Sequence, residues 1–217
     1  FATGAGFACC THGNGYYKTI YHDMTQMSLR ILEDGSAILR TSVNELGNGT
    51  VTALAQIVAE VTGLDIEKVT VTEGDTNFTG YDIGCQASRV IYVCGECARL
   101  VAEETVKLLC TKASEIYDAP VKMRGAYLEI GDKLVDTGEA VRRIMHEKRC
   151  SIEAHYEHAP EANPASFAAH FAQVTVDKLT GLVHVNKYLA VHDVGQAINR
   201  SSVDGQIYGG VQMGIGM

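Results

Sequence analysis

Apolar and polar positions first fall into a clear period at Met27. Met27, Leu29 and Ile31 alternate with Ser28 and Arg30, Asp34-Gly35 offers a tight turn, and Ala37 to Val43 runs back. The period of two predicts a hairpin of two short strands. Val51, Leu54, Ala55, Val58 and Val61 then follow helical spacing, and Gly63 is placed to end that helix. Asp65 opens a short turn, and Lys68-Val69-Thr70-Val71 reads as a strand. Beyond the loop Glu73 to Gly84, Val93, Cys97, Val101 and Leu108 predict a second helix reaching Ser114. Residues 1–24 show no period, because Gly4, Gly6, Gly13 and Gly15 interrupt it. Residues 118–165 offer only short strands near Tyr127–Ile130 and a polar, loop-like stretch around His155–Asn163. From Phe167 the alternation resumes: Ala172, Val174 and Val176, a turn at Asp177 to Gly181, and a return through Leu182 to Gly195. Gly205 to Gly216 is an apolar stretch punctuated by glycine, suited to a closely packed helix.

Hairpin, glycine-bearing junction and helix thus occur twice, from Met27 to Gly63 and from Phe171 onward, a weak internal duplication. The expected fold class is α+β, with repeated hairpin-plus-helix units and mixed sheets packed against helices. Residues 27–115 form the first unit, 116–166 a connecting segment and 167–217 a second, incomplete unit. The chain opens at Phe1 and stops at Met217 with no turn signal, so 1–217 reads as a domain truncated at both ends.

Composition narrows the partners. The chain has 217 residues, 46% hydrophobic and 20% charged, with a formal net charge of -8. An acidic balance argues against nucleic acid, which needs a basic face. No apolar run reaches the about 18 residues of a membrane span, and no signal peptide is visible. The seven cysteines are odd in number and irregular in spacing. They make no disulfide framework, and a reducing cytoplasm is the simplest setting.

Cys94-Gly95-Glu96-Cys97 admits redox or zinc chemistry, but it lies inside a helical pattern with no second ligand pair, so two buried thiols are expected. Cys9-Cys10 reads the same way. The histidines form no metal constellation; His155 and His158 read as part of a solvated loop, and Asp193 as the cap of a turn before Gly195 rather than as half of a His192-Asp193 catalytic pair. Three junctions stand out together: Gly47-Asn48-Gly49, Gly84-Cys85-Gln86-Ala87-Ser88 and Gly209-Gly210-Val211-Gln212-Met213-Gly214. Each combines small residues, backbone N–H groups expected to be free at a helix start, and an amide side chain that both donates and accepts. Such a set suits a flat polar heterocycle with a phosphate tail better than a bare phosphate.

Several stretches, in order, resemble the molybdenum-binding part of the xanthine dehydrogenase and aldehyde oxidoreductase family. Glu45-Leu46-Gly47-Asn48-Gly49 resembles that family's Glu-Met-Gly-Gln-Gly motif; Glu73 to Ala98 is similar to its Asp-Thr loop and Ala-Ser helix start; and Val191 to Gly216 resembles its His-Asp-Val-Gly segment and the Gly-rich run behind it. The likeness is good from Met27 to Leu109 and from Phe167 to Met217, and weak between them. It implies a molybdenum-molybdopterin cofactor, in its simple or cytosine dinucleotide form, held by Gly47, Asn48, Gly49, Cys85, Gln86, Ala87, Ser88, Gln212 and Met213. Asn48 stands where the family has glutamine, and Met213 where many relatives have one. Asparagine is shorter by one methylene, so the Asn48 amide either falls short of the cofactor or reaches it through a water.

The resemblance further implies hydroxylation of a purine, a nicotinate-like heterocycle or an aldehyde with water-derived oxygen. Electrons then leave through iron–sulfur clusters to FAD, on partner subunits or domains, in an oligomeric cytoplasmic enzyme. The family's catalytic glutamate lies in a downstream Gly-Glu-Pro-type segment, so no catalytic residue and no protein metal ligand is assigned here, and the chain alone is expected to be inactive. The competing reading is a catalytically inactive scaffold or assembly module that keeps the pterin-site fold.

Overall fold

The computed structural model describes every residue except Thr19 and Tyr21. Its strands and helices run in the order β1 (Ala2–Gly13), β2 (Thr25–Ile31), β3 (Ala37–Thr41), α1 (Thr50–Thr62), β4 (Val69–Thr72), α2 (Gly95–Tyr117), β5 (Val121–Arg124), β6 (Tyr127–Ile130), β7 (Lys133–Asp136), α3 (Thr137–Lys148), β8 (Ile152–His158), β9 (Ala165–Val176), β10 (Val183–Asp193) and α4 (Arg200–Gly216). A 3₁₀ turn, Ile66–Lys68, precedes β4, and a π-helical turn, Val90–Cys94, leads into α2. The chain packs as two units, one of residues 1–14 with 163–217, the other of residues 15–162.

The 15–162 unit is built on a four-stranded sheet in the order β4-β3-β2-β8. The β2–β3 and β2–β8 pairs are antiparallel and β3–β4 is parallel, with α1 as the crossover. Met27 and Leu29 of β2 and Leu39 of β3 meet Leu54 and Val58 of α1 and Cys97 and Val101 of α2 in one core. A second core joins Ile31 and Ile152 to Leu109 of α2, Leu128 of β6, and Val141 and Ile144 of α3. The helix spacing seen in the sequence matches the burial at Leu54, Ala55, Val58, Val93, Cys97 and Val101, while Val51, Val61 and Leu108 are half-buried and Leu109 takes the core position instead of Leu108. α1 ends as expected: Gly63 takes a left-handed conformation and donates its N–H to Ala59 O.

Residues 116–166 hold more order than their sequence suggests. β5, β6 and β7 form an antiparallel meander with two-residue turns. α3 starts on a capping motif, the Asp136 carboxylate accepting the Glu139 N–H at 2.9 Å. The stretch around His155, expected as a loop, is strand β8. Ile152, Ala154 and Tyr156 face the core, while Glu153, His155 and Glu157 make the polar side that disguises it.

In the other unit, β9 is the central strand of a three-stranded antiparallel sheet, order β1-β9-β10. Residues 2–13, expected to lack regular structure, pair along their whole length with β9, from Ala2↔Val176 to Gly13↔Ala165. Asn14 extends the pairing, its N–H and its side-chain amide both donating to Pro164 O. Cross-strand neighbours keep strict alternation. Phe7, Phe171 and Leu189 share one face, with the two phenyl rings stacked at 5.9 Å. His170, Tyr188 and His192 share the other. The Gly-punctuated C-terminal stretch forms α4, capped at its start by Asn199, whose Oδ1 accepts the Ser202 N–H at 3.0 Å.

Candidate cofactor-binding site

The loop from β3 to α1 carries the first glycine junction. Gly47 and Gly49 lie in the left-handed region, with φ of 89 and 81. Between and behind them Glu45 folds back on its own loop. Its Oε1 accepts the N–H groups of Gly47 at 2.8 Å and Gly49 at 2.9 Å, and its Oε2 accepts that of Val51 at 3.0 Å. An internal carboxylate thus sits at the N-terminus of α1, where the backbone dipoles favour negative charge. Burial raises the carboxyl pKa, but the donors from Val51, Gly49, Gly47 and Asn48 outweigh it and hold the group below the ordinary carboxylate value. The N–H groups that the sequence leaves free for a ligand are engaged within the chain. What remains for a ligand is shape and the Asn48 amide. A Cβ built on Gly47 meets nothing within 4 Å, so its backbone is open to close approach. Asn48 Oδ1 accepts the Thr50 hydroxyl at 2.8 Å, leaving the NH₂ as the group to donate elsewhere.

The second junction is organised differently. Ala87 and Ser88 are consecutive left-handed residues, φ 48 and 51, each storing on the order of 1 kcal/mol or more of backbone strain. Among the described residues, their N–H groups have no acceptor. A Cβ on Gly84, φ 105, also meets open space. The strain is held in place from beneath by Arg89, which is fully buried. Its Nε donates to Asp23 Oδ1 at 2.7 Å, and its Nη1 donates to both Asp82 oxygens at 3.0 Å and to Gly84 O at 3.1 Å. Asp23 in turn accepts the Tyr16 N–H at 2.8 Å, Asp82 accepts the Gly84 N–H at 2.7 Å, and Gly15 N–H reaches Ala87 O at 3.0 Å. Sequence reading did not single out this network. Its one trace is an arginine directly after the small-residue run, in a helix start that is otherwise apolar.

Within this unit the two junctions meet. Cys85 Sγ donates to Asn44 O at 3.4 Å, and Gly74 N–H donates to Asn44 Oδ1 at 3.2 Å, so the Glu73–Gly84 loop lies against the chain leading to Gly47-Asn48-Gly49. Gln86 is exposed and donates to Ile83 O at 3.0 Å. Gln212 and Met213 belong to the other unit, exposed and well inside α4. They do not sit at a helix start, so their backbone N–H groups serve the helix itself and only their side chains are available.

Cys94 and Cys97 are both buried, at the π-helical turn and in the first turn of α2. Burial raises both thiol pKa values, that of Cys97 to about 12. Cys94 donates to Asp82 Oδ2 at 3.4 Å, and Cys97 lies 3.7 Å from Tyr156 O. His155 and His158 stand three apart on a strand, so they point to opposite faces and cannot ligate one ion. Asp193 caps a turn as expected, Oδ1 accepting the Gly195 N–H at 3.1 Å. Among the described residues no group of three or more His, Cys, Asp or Glu side chains is placed to hold a metal. Among the described residues all seven cysteines are unpaired, Cys9 and Cys10 are exposed rather than buried as expected, because β1 leaves both its faces open, and no helix is long and apolar enough to cross a membrane.

The α+β chain thus presents glycine-opened junctions and one strained loop whose Ala87 and Ser88 N–H groups have no acceptor among the described residues. Residues 2–217 match the model of the molybdopterin cofactor-binding domain, and the chain belongs to that family. It is similar to the putative xanthine dehydrogenase molybdenum-binding subunit XdhA of Escherichia coli K12, 29% identical over 98% of this chain and 30% of that protein. It is also similar to the nicotine 6-hydroxylase large subunit of Paenarthrobacter nicotinovorans, 28% identical over 91% of this chain and 26% of that protein. Among solved structures, quinoline 2-oxidoreductase from Pseudomonas putida 86 shares the fold with a TM-score of 0.85, at 24% identity, over 96% of this chain and 29% of that one. The chain spans about 30% of the length of the curated relatives it matches.

Proposed function

We propose that this chain forms part of the molybdopterin-binding wall of a molybdenum hydroxylase, acting on a purine, a nicotinate-like heterocycle or an aldehyde. The observation that carries this reading is the family match over residues 2–217. Relatives named as acting on xanthine, nicotine and aldehydes support the reaction class. Gly47 and Gly84 give the cofactor close access to the backbone, with Cys85 and Gln86 beside it, and Gly49 lets the loop turn into α1. The Ala87 and Ser88 N–H groups offer donors to phosphate or ring acceptors, as does the Asn48 NH₂; in the other unit the Gln212 and Met213 side chains are candidate contacts by the family resemblance alone. The residues fit such a group: open space over glycine and unengaged donors are what an acceptor-rich pterin phosphate requires. Arg89 positions this loop without touching the ligand.

When bound, the cofactor supplies the redox-active metal. The catalytic acid–base residue, the iron–sulfur and flavin partners, and the cytosine dinucleotide, where present, are assigned to the rest of the full-length protein and its assembly. Ala87→Trp in the full-length protein tests the assignment. Molybdenum and pterin contents should fall to background while thermal unfolding matches that of unsubstituted protein freed of cofactor. A variant that still loads fully would refute the role of this loop. Full-length protein that never carries molybdenum or pterin would refute the enzyme reading itself.

A further inference from the structure

The polar face of the β1-β9-β10 sheet gathers three side chains that the cofactor reading does not use. His170 comes from the central strand, and Tyr188 and His192 from β10. Tyr188 Oη and His170 Nδ1 are 2.8 Å apart, and so are His170 Nε2 and His192 Nε2. The imidazole rings are inclined at 69° with centroids 4.9 Å apart, and their Nε2 atoms form the polar contact between the two side chains. Two imidazole lone pairs at that distance repel each other unless a positive centre, a proton or a metal cation, lies between them.

We propose that His170 and His192 bind one divalent transition-metal cation of the zinc or nickel type, with Tyr188 fixing the His170 ring. A tetrahedral ion with metal–nitrogen distances of about 2.0–2.1 Å holds its two nitrogens about 3.3 Å apart. The rings therefore need to part by only about half an ångström, within reach of a small change in χ angles on half-exposed side chains. In the metal-bound form Tyr188 Oη, 2.8 Å from His170 Nδ1, would accept the Nδ1 proton and hold the tautomer that leaves Nε2 to ligate, the usual arrangement behind a metal-bound histidine. The neighbouring positions on this face are Gly6, Ala8, Cys10, Ala168, Ala172 and Ala190. Both rings are half-exposed, so water can supply the remaining ligands. A site with two protein ligands is exchangeable rather than structural. It carries no spacing motif, because its ligands come from two strands paired across the Asp177–Gly181 turn.

The test is zinc titration of the full chain by calorimetry, with exposed thiols alkylated first so that Cys9 and Cys10 cannot compete. Imidazole nitrogen shifts of the unsubstituted protein are followed by NMR in parallel. One equivalent of zinc should bind, shifting the Nε2 resonances of His170 and His192. His170→Gln and His192→Gln should each abolish it with unchanged circular dichroism, and Tyr188→Phe should weaken binding by about tenfold. Absence of binding, shifts confined to other histidines, or undiminished binding in the His170→Gln/His192→Gln double variant would each overturn the proposal.

Discussion

Replacing Arg89 with methionine separates a positioning network from a decorative one. Arg89 is fully buried, and the side chains of its partners Asp23 and Asp82 are 2% and 1% exposed. Without the guanidinium, two carboxylates remain in the interior with no counter-charge. Breaking one buried pair by removing a partner costs about 3–5 kcal/mol. The two pairs share a single cation and are coupled, so the expected loss is about 4 kcal/mol rather than twice that. Against a total of about 5–15 kcal/mol for a domain, such a loss is large. The chain has no tryptophan, so urea unfolding is best followed by far-ultraviolet circular dichroism. Arg89→Lys keeps the charge, yet one ammonium cannot span Asp23, both Asp82 oxygens and Gly84 O; it should lose about half as much. Neutralising the acids in an Asp23→Asn/Asp82→Asn/Arg89→Met variant should restore part of the stability. A loss below about 1 kcal/mol in Arg89→Met would show that the buried pairs do not hold this loop.

Three further outcomes follow from the same structure. Glu45→Gln should destabilise the chain by about 1 kcal/mol, a charge-assisted cap discounted for solvent. Because the Glu45 carboxyl is held below its ordinary value of 4.5, its contribution is complete above that value and fades as pH falls through the folded pKa; equal sensitivity to acid in Glu45→Gln and the unsubstituted chain would count against this. In native protein treated with iodoacetamide, mass spectrometry should find exposed Cys9 and Cys10 modified first, and buried Cys94 and Cys97 last; modification of all four at one rate would contradict the burial. Asp136→Ala should cost about 1 kcal/mol by removing the α3 cap, and an unchanged urea midpoint would dismiss that cap.

What the sequence showed and what it hid have physical reasons. β2, β3, α1 and α2 are legible because each buries one face, so period and burial coincide in Leu29, Leu39, Val58 and Val101. β1 is hidden because Gly4 and Gly6 remove side chains from an alternation that Phe7 and Cys9 only begin. α3 did leave a signal, Asp136-Thr137-Gly138-Glu139, a capping pattern ahead of Ala140, Val141 and Ile144. At the candidate site the glycines and the left-handed loop were legible as small-residue runs. The engagement of Glu45 was not, since nothing in a sequence says which acceptor a backbone N–H will find. Nor was the Arg89 network, whose partners lie 66 and 7 residues away along the chain. Gln212 and Met213 show the limit of motif reading: a glycine run can open a helix or fill one, and here it fills α4.

β1 belongs to a sheet whose other strands follow only after residues 15–162 have been threaded. Closing a flexible loop of that length costs about 4 kcal/mol in chain entropy, before any pairing of Ala2 with Val176 can repay it. The intervening unit is contiguous and has its own cores, so it can form first and shorten the path between the two ends it connects. Asn14 and Pro164 mark those ends, joined by a hydrogen bond of 3.1 Å. The order of assembly is then inside out. Pulse-labelled hydrogen exchange should then find the inserted unit protected early and the first strand of the chain last.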